Sequence, residues 1–167
     1  MSSRRKYVIF GVLAAIMVVL DQWTKILARE VLQPLGYGQY KVVIDGFFRL
    51  RYSENRGVAF GMLQTLPGGR FILTLVALAA FALVIYYLRK TQDDQTILHV
   101  ALGLVGGGAI GNLIDRLRFG YVVDFIQVYF RQHSFPAFNI ADSAIVVGAF
   151  MIVFASKLNS PRSPSND

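Results

Sequence analysis

The chain has 167 residues, of which 54% are hydrophobic and 16% charged, and its mean hydropathy is +0.48. Soluble domains carry about a quarter charged residues, so this composition excludes an ordinary water-soluble domain and indicates a membrane protein. The net charge of +7 comes largely from basic residues beside apolar runs, which is typical of contacts with lipid headgroups rather than with nucleic acid. The absence of cysteine excludes disulfides, thiol nucleophiles and thiolate metal sites.

Four apolar segments predict a membrane all-α bundle of four transmembrane helices, at residues 7–28, 71–88, 96–115 and 137–157. A helix needs roughly 20 residues to cross the hydrocarbon core. The first uncharged run ends at Leu20, so that span is long enough only if it continues through Asp21 and Lys25. A cleaved signal peptide is the alternative for this segment, but no small-residue cleavage site follows it.

Residues 1–158 are predicted to form one integral-membrane domain, and the polar segment 159–167 is predicted to be a disordered tail. Four spans place both termini on one side of the membrane. The basic residues of the termini and of the short link at 89–90 lie in much shorter segments than those of the two longer loops. This density predicts cytoplasmic termini.

The outer loop is predicted to contain a small extracytoplasmic β-hairpin at about residues 38–60, lying at the membrane interface. Apolar residues alternate over 40–44 and over 48–52, and Asp45-Gly46 between them is a turn signal. An isolated hairpin is marginally stable in water, so we expect its apolar face to rest on the interface. The apolar stretch Val122–Phe130 is a candidate to pair with it.

Four acidic residues fall near the same membrane face in this topology: Asp21, Asp115, Asp124 and Asp142. Carboxylates at such depth are costly and usually have a partner or a chemical role. Asp21 can pair with Lys25 one turn later, which leaves structural and catalytic roles open. Asp115 adjoins Arg116, which favours a structural or headgroup-binding role. Asp124 has no lysine or arginine within four positions and Asp142 none within ten, so these two are the better catalytic candidates.

Two carboxylates that meet cannot both ionise cheaply, so they share one proton. The ionised group can then take a proton from water while the protonated group donates to a scissile carbonyl oxygen. Such a pair hydrolyses peptides without a metal, and neither member is assigned as the base. Asn55, Asn112 and Asn139 supply amides that can orient the carboxylates or bind an extended peptide. The spacing Gly103-x-x-x-Gly107-x-x-x-Gly111 predicts close helix packing.

Five stretches of the chain resemble the lipoprotein signal peptidases, also called signal peptidase II, in the order and spacing of that family. They are Asp21-Gln-Trp-Thr-Lys25, Asn55-Arg-Gly-Val-Ala-Phe60, Gly107-Gly-Ala-Ile-Gly-Asn-Leu-Ile-Asp-Arg116, Val122-Val-Asp-Phe-Ile126 and Phe138-Asn-Ile-Ala-Asp-Ser143. Each stretch is weak evidence alone, but together they are highly specific and cover most of the chain from the first span to the fourth.

The resemblance implies an aspartic endopeptidase of the bacterial inner membrane, with its active site near the outer leaflet. It implies cleavage of prolipoproteins just before a diacylglyceryl-modified cysteine, inhibition by the lipopeptide globomycin, and no cofactor or metal. Asp124 and Asp142 match the family's catalytic dyad. The supporting or substrate-binding positions match Asp21, Lys25, Asn55, Gly57, Asn112, Asp115, Arg116, Asn139 and Ala141. We further expect contact with membrane lipids, a monomer, no nucleic-acid partner, and a hairpin that clamps the substrate.

Three other functions fit an apolar chain with intramembrane acids. A small proton-coupled transporter is the main alternative, but the acids crowd one face, the inner half offers little beyond His99, and no internal repeat is found. Other intramembrane aspartic peptidases carry a Gly-x-Gly-Asp motif, which this sequence lacks. A non-catalytic membrane scaffold is the third.

Overall fold

The computed structural model describes residues 3–36, 38–57 and 69–158. Its helices are α1 (Ser3–Val31), α2 (Gly69–Lys90), α3 (Thr96–Phe119) and α4 (Ile140–Leu158), and a 3₁₀ turn at Gln33–Leu35 follows α1. Within these ranges, α1, α2 and α3 are long and apolar enough to cross a membrane. The apolar part of α4 is shorter, at Ile140–Ala155. The predicted segment 159–167 and residues 58–68 lie outside the described ranges.

The helices differ from the predicted spans at their ends. The first three extend beyond them, because apolar runs mark only the part in hydrocarbon and helices continue into the polar interface. α3 ends at Gly120, whose left-handed conformation (φ 79°) stops the helix and turns the chain into the sheet. α4 begins three residues later than predicted, because Asn139 and Asp142 cap its first turn through hydrogen bonds.

An antiparallel sheet lies at the end of the bundle where α1 and α3 finish. Its strands are β1 (Lys41–Ile44), β2 (Phe48–Asn55), β3 (Val122–Phe130) and β4 (His133–Ser134), in the order β1-β2-β3-β4. The predicted hairpin and its pairing with Val122–Phe130 are therefore confirmed. The short strand β4 was not predicted. Residues 58–60 of the predicted β-region are among those not described.

α3 occupies the centre of the bundle and packs against each of the other three helices. Its glycines make this possible, as their spacing predicts. A Cβ atom on Gly107 would lie 2.9 Å from the backbone of Ala14 in α1, and one on Gly108 would lie 2.5 Å from the carbonyl oxygen of Ala141 in α4. The polar side chains on α1, α3 and α4 are consequently brought within hydrogen-bonding reach of one another.

A small apolar cluster fixes the sheet to the outer end of α1. Ala28 and Leu32 of α1 and its following turn pack with Val123 and Phe125 of β3, and Leu50 and Tyr52 of β2 lie against them. Over β2, the predicted apolar face of the hairpin therefore packs against the protein. The residues of β1 remain exposed. This packing fixes the position of β3 relative to the helices.

Candidate active site

Asp124 and Asp142 meet at the junction of the sheet and the bundle. Asp124 projects from β3 and is only 2% exposed, and Asp142 lies in the first turn of α4. Both carboxylates bind Asn139. Its side-chain Nδ2 donates to Asp124 Oδ1 at 2.7 Å, and its backbone N–H donates to Asp142 Oδ2 at 3.2 Å. The structure therefore brings together the two acids that the sequence singled out.

Asn139 achieves this because it caps α4. Its side-chain Oδ1 accepts the backbone N–H of Asp142 at 2.9 Å, while Asp142 Oδ2 accepts the backbone N–H of Asn139. This reciprocal pair is a capping box, with Asp142 in the place of the usual Glu or Gln. The predicted span 137–157 placed Asn139 inside the helix, which is wrong, since Asn139 precedes α4. The N-terminal end of a helix also favours a negative charge such as that of Asp142.

Two more amides complete the coordination of the carboxylates. Asn112 of α3 donates through Nδ2 to Asp142 Oδ1 at 2.8 Å, and Asn55 at the end of β2 donates to Asp124 Oδ2 at 3.0 Å. The backbone N–H of Gly57 donates to Asn55 Oδ1 at 3.2 Å and orients that amide. The three predicted asparagines therefore all orient the aspartates. Arg116, half-buried on α3, donates to the Asn112 carbonyl oxygen at 3.4 Å.

Neither aspartate of the pair has a cationic partner within 4.0 Å among the residues that the structure describes. Burial raises the pKa of Asp124 to about 7, and the nearby charge of Asp142 adds to this effect. The hydrogen bonds from Asn55 and Asn139 oppose it but do not offset it. Near neutral pH, Asp124 is consequently poised between its acid and carboxylate forms, which suits a pair that shares one proton.

The cation of Lys25 is linked to this pair through Asn112. Its Nζ binds Asp21 Oδ2 at 2.8 Å and Asp115 Oδ2 at 3.0 Å, and it donates to Asn112 Oδ1 at 3.0 Å. The predicted pairing of Asp21 with Lys25 is confirmed. Asp115 is 1% exposed and pairs with Lys25 rather than with its neighbour Arg116, which agrees with the structural alternative predicted for it.

Asp21 and Asp115 also tie the elements of the site together through backbone hydrogen bonds. Asp115 Oδ2 accepts the backbone N–H of Val123 at 3.0 Å, which fixes β3 beside Asp124. Asp21 Oδ1 accepts the backbone N–H of Ala141 at 3.0 Å, which fixes the start of α4 beside Asp142. One buried ion-pair network therefore positions both carboxylates.

Gln22 belongs to this network and was not selected from the sequence. Its Nε2 lies within hydrogen-bond distance of Asp21 Oδ2 (3.2 Å), the Gly111 carbonyl oxygen (3.2 Å) and Asp115 Oδ1 (3.0 Å). The available signal was its place inside the Asp21–Lys25 motif, one residue from a buried acid. An uncharged amide gives no sequence indication that it will lie between the carboxylates of Asp21 and Asp115.

Comparison with known proteins identifies the family. The family model described as signal peptidase (SPase) II matches residues 13–158. The chain belongs to this family. A lipoprotein signal peptidase from Geobacter metallireducens is 40% identical over 161 residues, which are 96% of this chain and 97% of that protein. One from Caldanaerobacter subterraneus is 47% identical over 142 residues, which are 84% of this chain and 90% of that protein.

Solved structures of bacterial membrane enzymes share this fold. A bacterial membrane enzyme that is 28% identical superposes with a TM-score of 0.78, covering 95% of this chain and 93% of that chain. A second such structure has the same identity and TM-score over 90% of this chain and 94% of that chain. Membership of the signal peptidase II family makes the protein a bacterial membrane peptidase. It also favours the peptidase over the transporter and scaffold alternatives.

Proposed function

We propose that this protein is an aspartic endopeptidase that removes signal peptides from prolipoproteins by cleaving just before the diacylglyceryl-modified cysteine. Asp124 and Asp142 form its catalytic pair. The observation that carries the proposal is the convergence of buried Asp124 and half-buried Asp142 on Asn139, without a cationic partner among the described residues. Two carboxyl groups without a cationic partner can share one proton, because neither negative charge is compensated by a lysine or arginine.

Hydrolysis would proceed through one water molecule between the two acids. The ionised carboxylate removes a proton from the water as its oxygen attacks the scissile carbonyl carbon, and the protonated carboxyl donates to the carbonyl oxygen. Collapse of the tetrahedral species then returns a proton to the leaving amine. Asn112 holds one oxygen of Asp142 and Asn55 holds one oxygen of Asp124, so little rotation is needed during these transfers.

The geometry supports a site at the outer leaflet of the inner membrane in a four-span topology with cytoplasmic termini. α4 has 19 residues and is about 28 Å long, close to the thickness of the hydrocarbon core. Asp142 lies in its first turn, so a spanning α4 holds the pair at one membrane surface. A diacylglyceryl group could remain in the bilayer there while its peptide enters the site. The described domain would then act as a monomer on its lipid-anchored substrate.

The hairpin β1–β2 is proposed to clamp the substrate, because β2 carries Asn55 onto Asp124. Deleting residues 40–52 would also remove the pairing of β2 with β3 and so disturb Asp124 itself. Substitution of exposed Val42 and Phe47 by Ser is the sharper test. We expect it to raise KM for prolipoprotein without lowering thermal stability, and an unchanged KM would reject the clamp.

The proposed function is tested by a gel-shift assay on a purified diacylglyceryl-modified prolipoprotein. Asp124→Asn and Asp142→Asn keep the shape of the side chain and remove its acid–base chemistry, so both should abolish cleavage. Asp94→Asn, an exposed acid in the link between α2 and α3, is the matched control and should cleave normally. Globomycin should block the wild-type reaction. Cleavage by either dyad variant at the wild-type rate would overturn the assignment.

A further inference from the structure

A cavity lies outside the proposed catalytic pair, between the end of α1 and β2. It has a volume of about 510 Å³ and is lined by Gln33, Gly36, Arg51, Tyr52, Ser53, Glu54 and Arg56. This volume is in the range of small-ligand sites in proteins, about 300–1,000 Å³. Neither Asp124 nor Asp142 contributes to its lining, so its chemistry requires a separate explanation.

One donor in this cavity, the Nε atom of Arg51, has no acceptor among the described residues. The Nε atom of Arg51 is shielded from solvent, and among the described residues it has no hydrogen-bond partner and Arg51 has no ion-pair partner. A buried donor of a charged group without an acceptor is unfavourable, and such groups commonly indicate an absent ion or water. The hydroxyl of Ser53 and the amide of Gln33 are further possible donors along the same wall.

The charge of the cavity favours an anion. Arg56 binds Glu54 at 2.8 Å, so these two residues neutralise each other. Arg51 then leaves a net positive charge among the lining side chains. Arginine presents N–H groups in a planar fork that matches the oxygens of phosphate, which makes a phosphate group a better fit than a simple halide.

The depth of the cavity is set by α1. This helix has 29 residues and is about 43 Å long, which equals a bilayer with its headgroup regions. Gln33 lies just beyond the end of α1 at Val31, so the cavity opens at the level of lipid headgroups rather than in hydrocarbon. A phosphate at this depth can belong to an anionic phospholipid or arrive free from solution.

We propose that this cavity is a phosphate-binding site in which Arg51 is the principal ligand. Its occupant is the phosphate group of an anionic lipid headgroup or of inorganic phosphate. Occupation satisfies the buried Arg51 Nε and joins β2 to the end of α1. The site is separate from the dyad, so its occupancy can be measured without substrate and without cleavage.

The test measures thermal unfolding of the purified full-length protein in neutral detergent at constant ionic strength. Inorganic phosphate, dihexanoyl phosphatidylglycerol and dihexanoyl phosphatidylcholine are titrated separately. We expect a saturable rise in Tm, by about 5 °C at a hundredfold excess over Kd, with at least one of the two anionic probes. A response to phosphatidylglycerol alone identifies a lipid site, and a response to phosphate alone identifies a site for the free anion.

Three variants make the test specific. Arg51→Gln should weaken half-saturation by about tenfold or more. Arg51→Lys keeps the charge but lacks the planar guanidinium, so it should also lose most of the response. It carries the test if Arg51→Gln fails to fold. Arg131→Gln removes an equal charge from an exposed turn and should respond as the wild type does. The proposal is overturned if the wild type shows no saturable response, if both Arg51 variants respond normally, or if Arg131→Gln loses the response equally.

Discussion

Lys25 and Asn112 are joined by a buried hydrogen bond of 3.0 Å, and this bond determines which way the Asn112 amide faces. Asn112 Oδ1 accepts from Lys25 and, at 3.2 Å, from Asn139 Nδ2. Its Nδ2 is consequently left to donate to Asp142. A cation that touches neither member of the proposed catalytic pair therefore sets the hydrogen bonding of one of them.

Replacing Lys25 with Met should be strongly destabilising. The substitution leaves Asp21 and Asp115 buried without their counter-charge, and breaking a buried ion pair costs about 3–5 kcal/mol. Lys41→Met, which removes an exposed charge from β1, is the control. The measurement is thermal unfolding in detergent. Equal melting temperatures for the two variants would contradict the structural role of Lys25.

The pKa of Asp124 predicts a pH dependence of stability. Its pKa is about 7 in the folded protein against a usual value of 3.8, so the folded state binds the proton more tightly. The stabilisation is complete below about pH 4 and is lost as the pH rises through 7, with a slope of up to about 1.4 kcal/mol per pH unit. In Asp124→Asn, the melting temperature should change less with pH over this window. Above pH 7 it should be higher than that of the wild type. Parallel curves for the two proteins would show that Asp124 titrates normally.

Catalytic activity should also depend on the protonation of Asp124. The proposed mechanism requires one proton on the pair, and raising the pH above about 7 removes it from Asp124. We therefore expect kcat/KM for a lipidated substrate to fall on the alkaline side of neutrality, with the apparent value belonging to the pair as a unit. A rate that is constant from pH 6 to about pH 9 would exclude a mechanism in which the pair must share one proton.

Gly111 should tolerate no side chain. A Cβ atom there would lie 2.5 Å from Asp21 Oδ2, so Gly111→Ala must displace the carboxylate from Lys25 and should cost about 1–3 kcal/mol. Gly11→Ala is the matched control, since a Cβ at Gly11 meets no atom within 4 Å, and alanine favours the helix. Their melting temperatures should shift in opposite directions. Shifts of the same size and sign would mean that close packing at Gly111 is unimportant.

Asn139 combines two roles that substitution can separate. Asn139→Ala removes both the cap of α4 and the donor to Asp124, and should lower stability by about 1 kcal/mol and abolish cleavage. Asn139→Ser retains a capping oxygen but lacks the Nδ2 donor, so it should recover stability but not activity. Thermal unfolding and the gel-shift assay measure the two effects. Full activity of the Ser variant would show that the contact with Asp124 is dispensable.

The sequence alone was enough to predict the apolar helices, the hairpin and the two candidate catalytic acids, Asp124 and Asp142. These inferences rest on local quantities, namely the length of an apolar run, the alternation over β1 and β2, and the distance in sequence from Asp124 and Asp142 to any basic residue. The family motifs extended this to the supporting positions because their order and spacing are readable without coordinates.

Only the tertiary structure decided how those residues are connected. That Asp115 pairs with Lys25 across two helices, that Gln22 bridges Asp21 and Asp115, and that Asn139 caps α4 all depend on the close approach of α1, α3 and α4. The orphaned Nε of Arg51 likewise depends on how β2 lies against the end of α1. Hydrogen bonds act over about 3 Å, and residues distant in the chain reach that separation only after the helices and the sheet have packed.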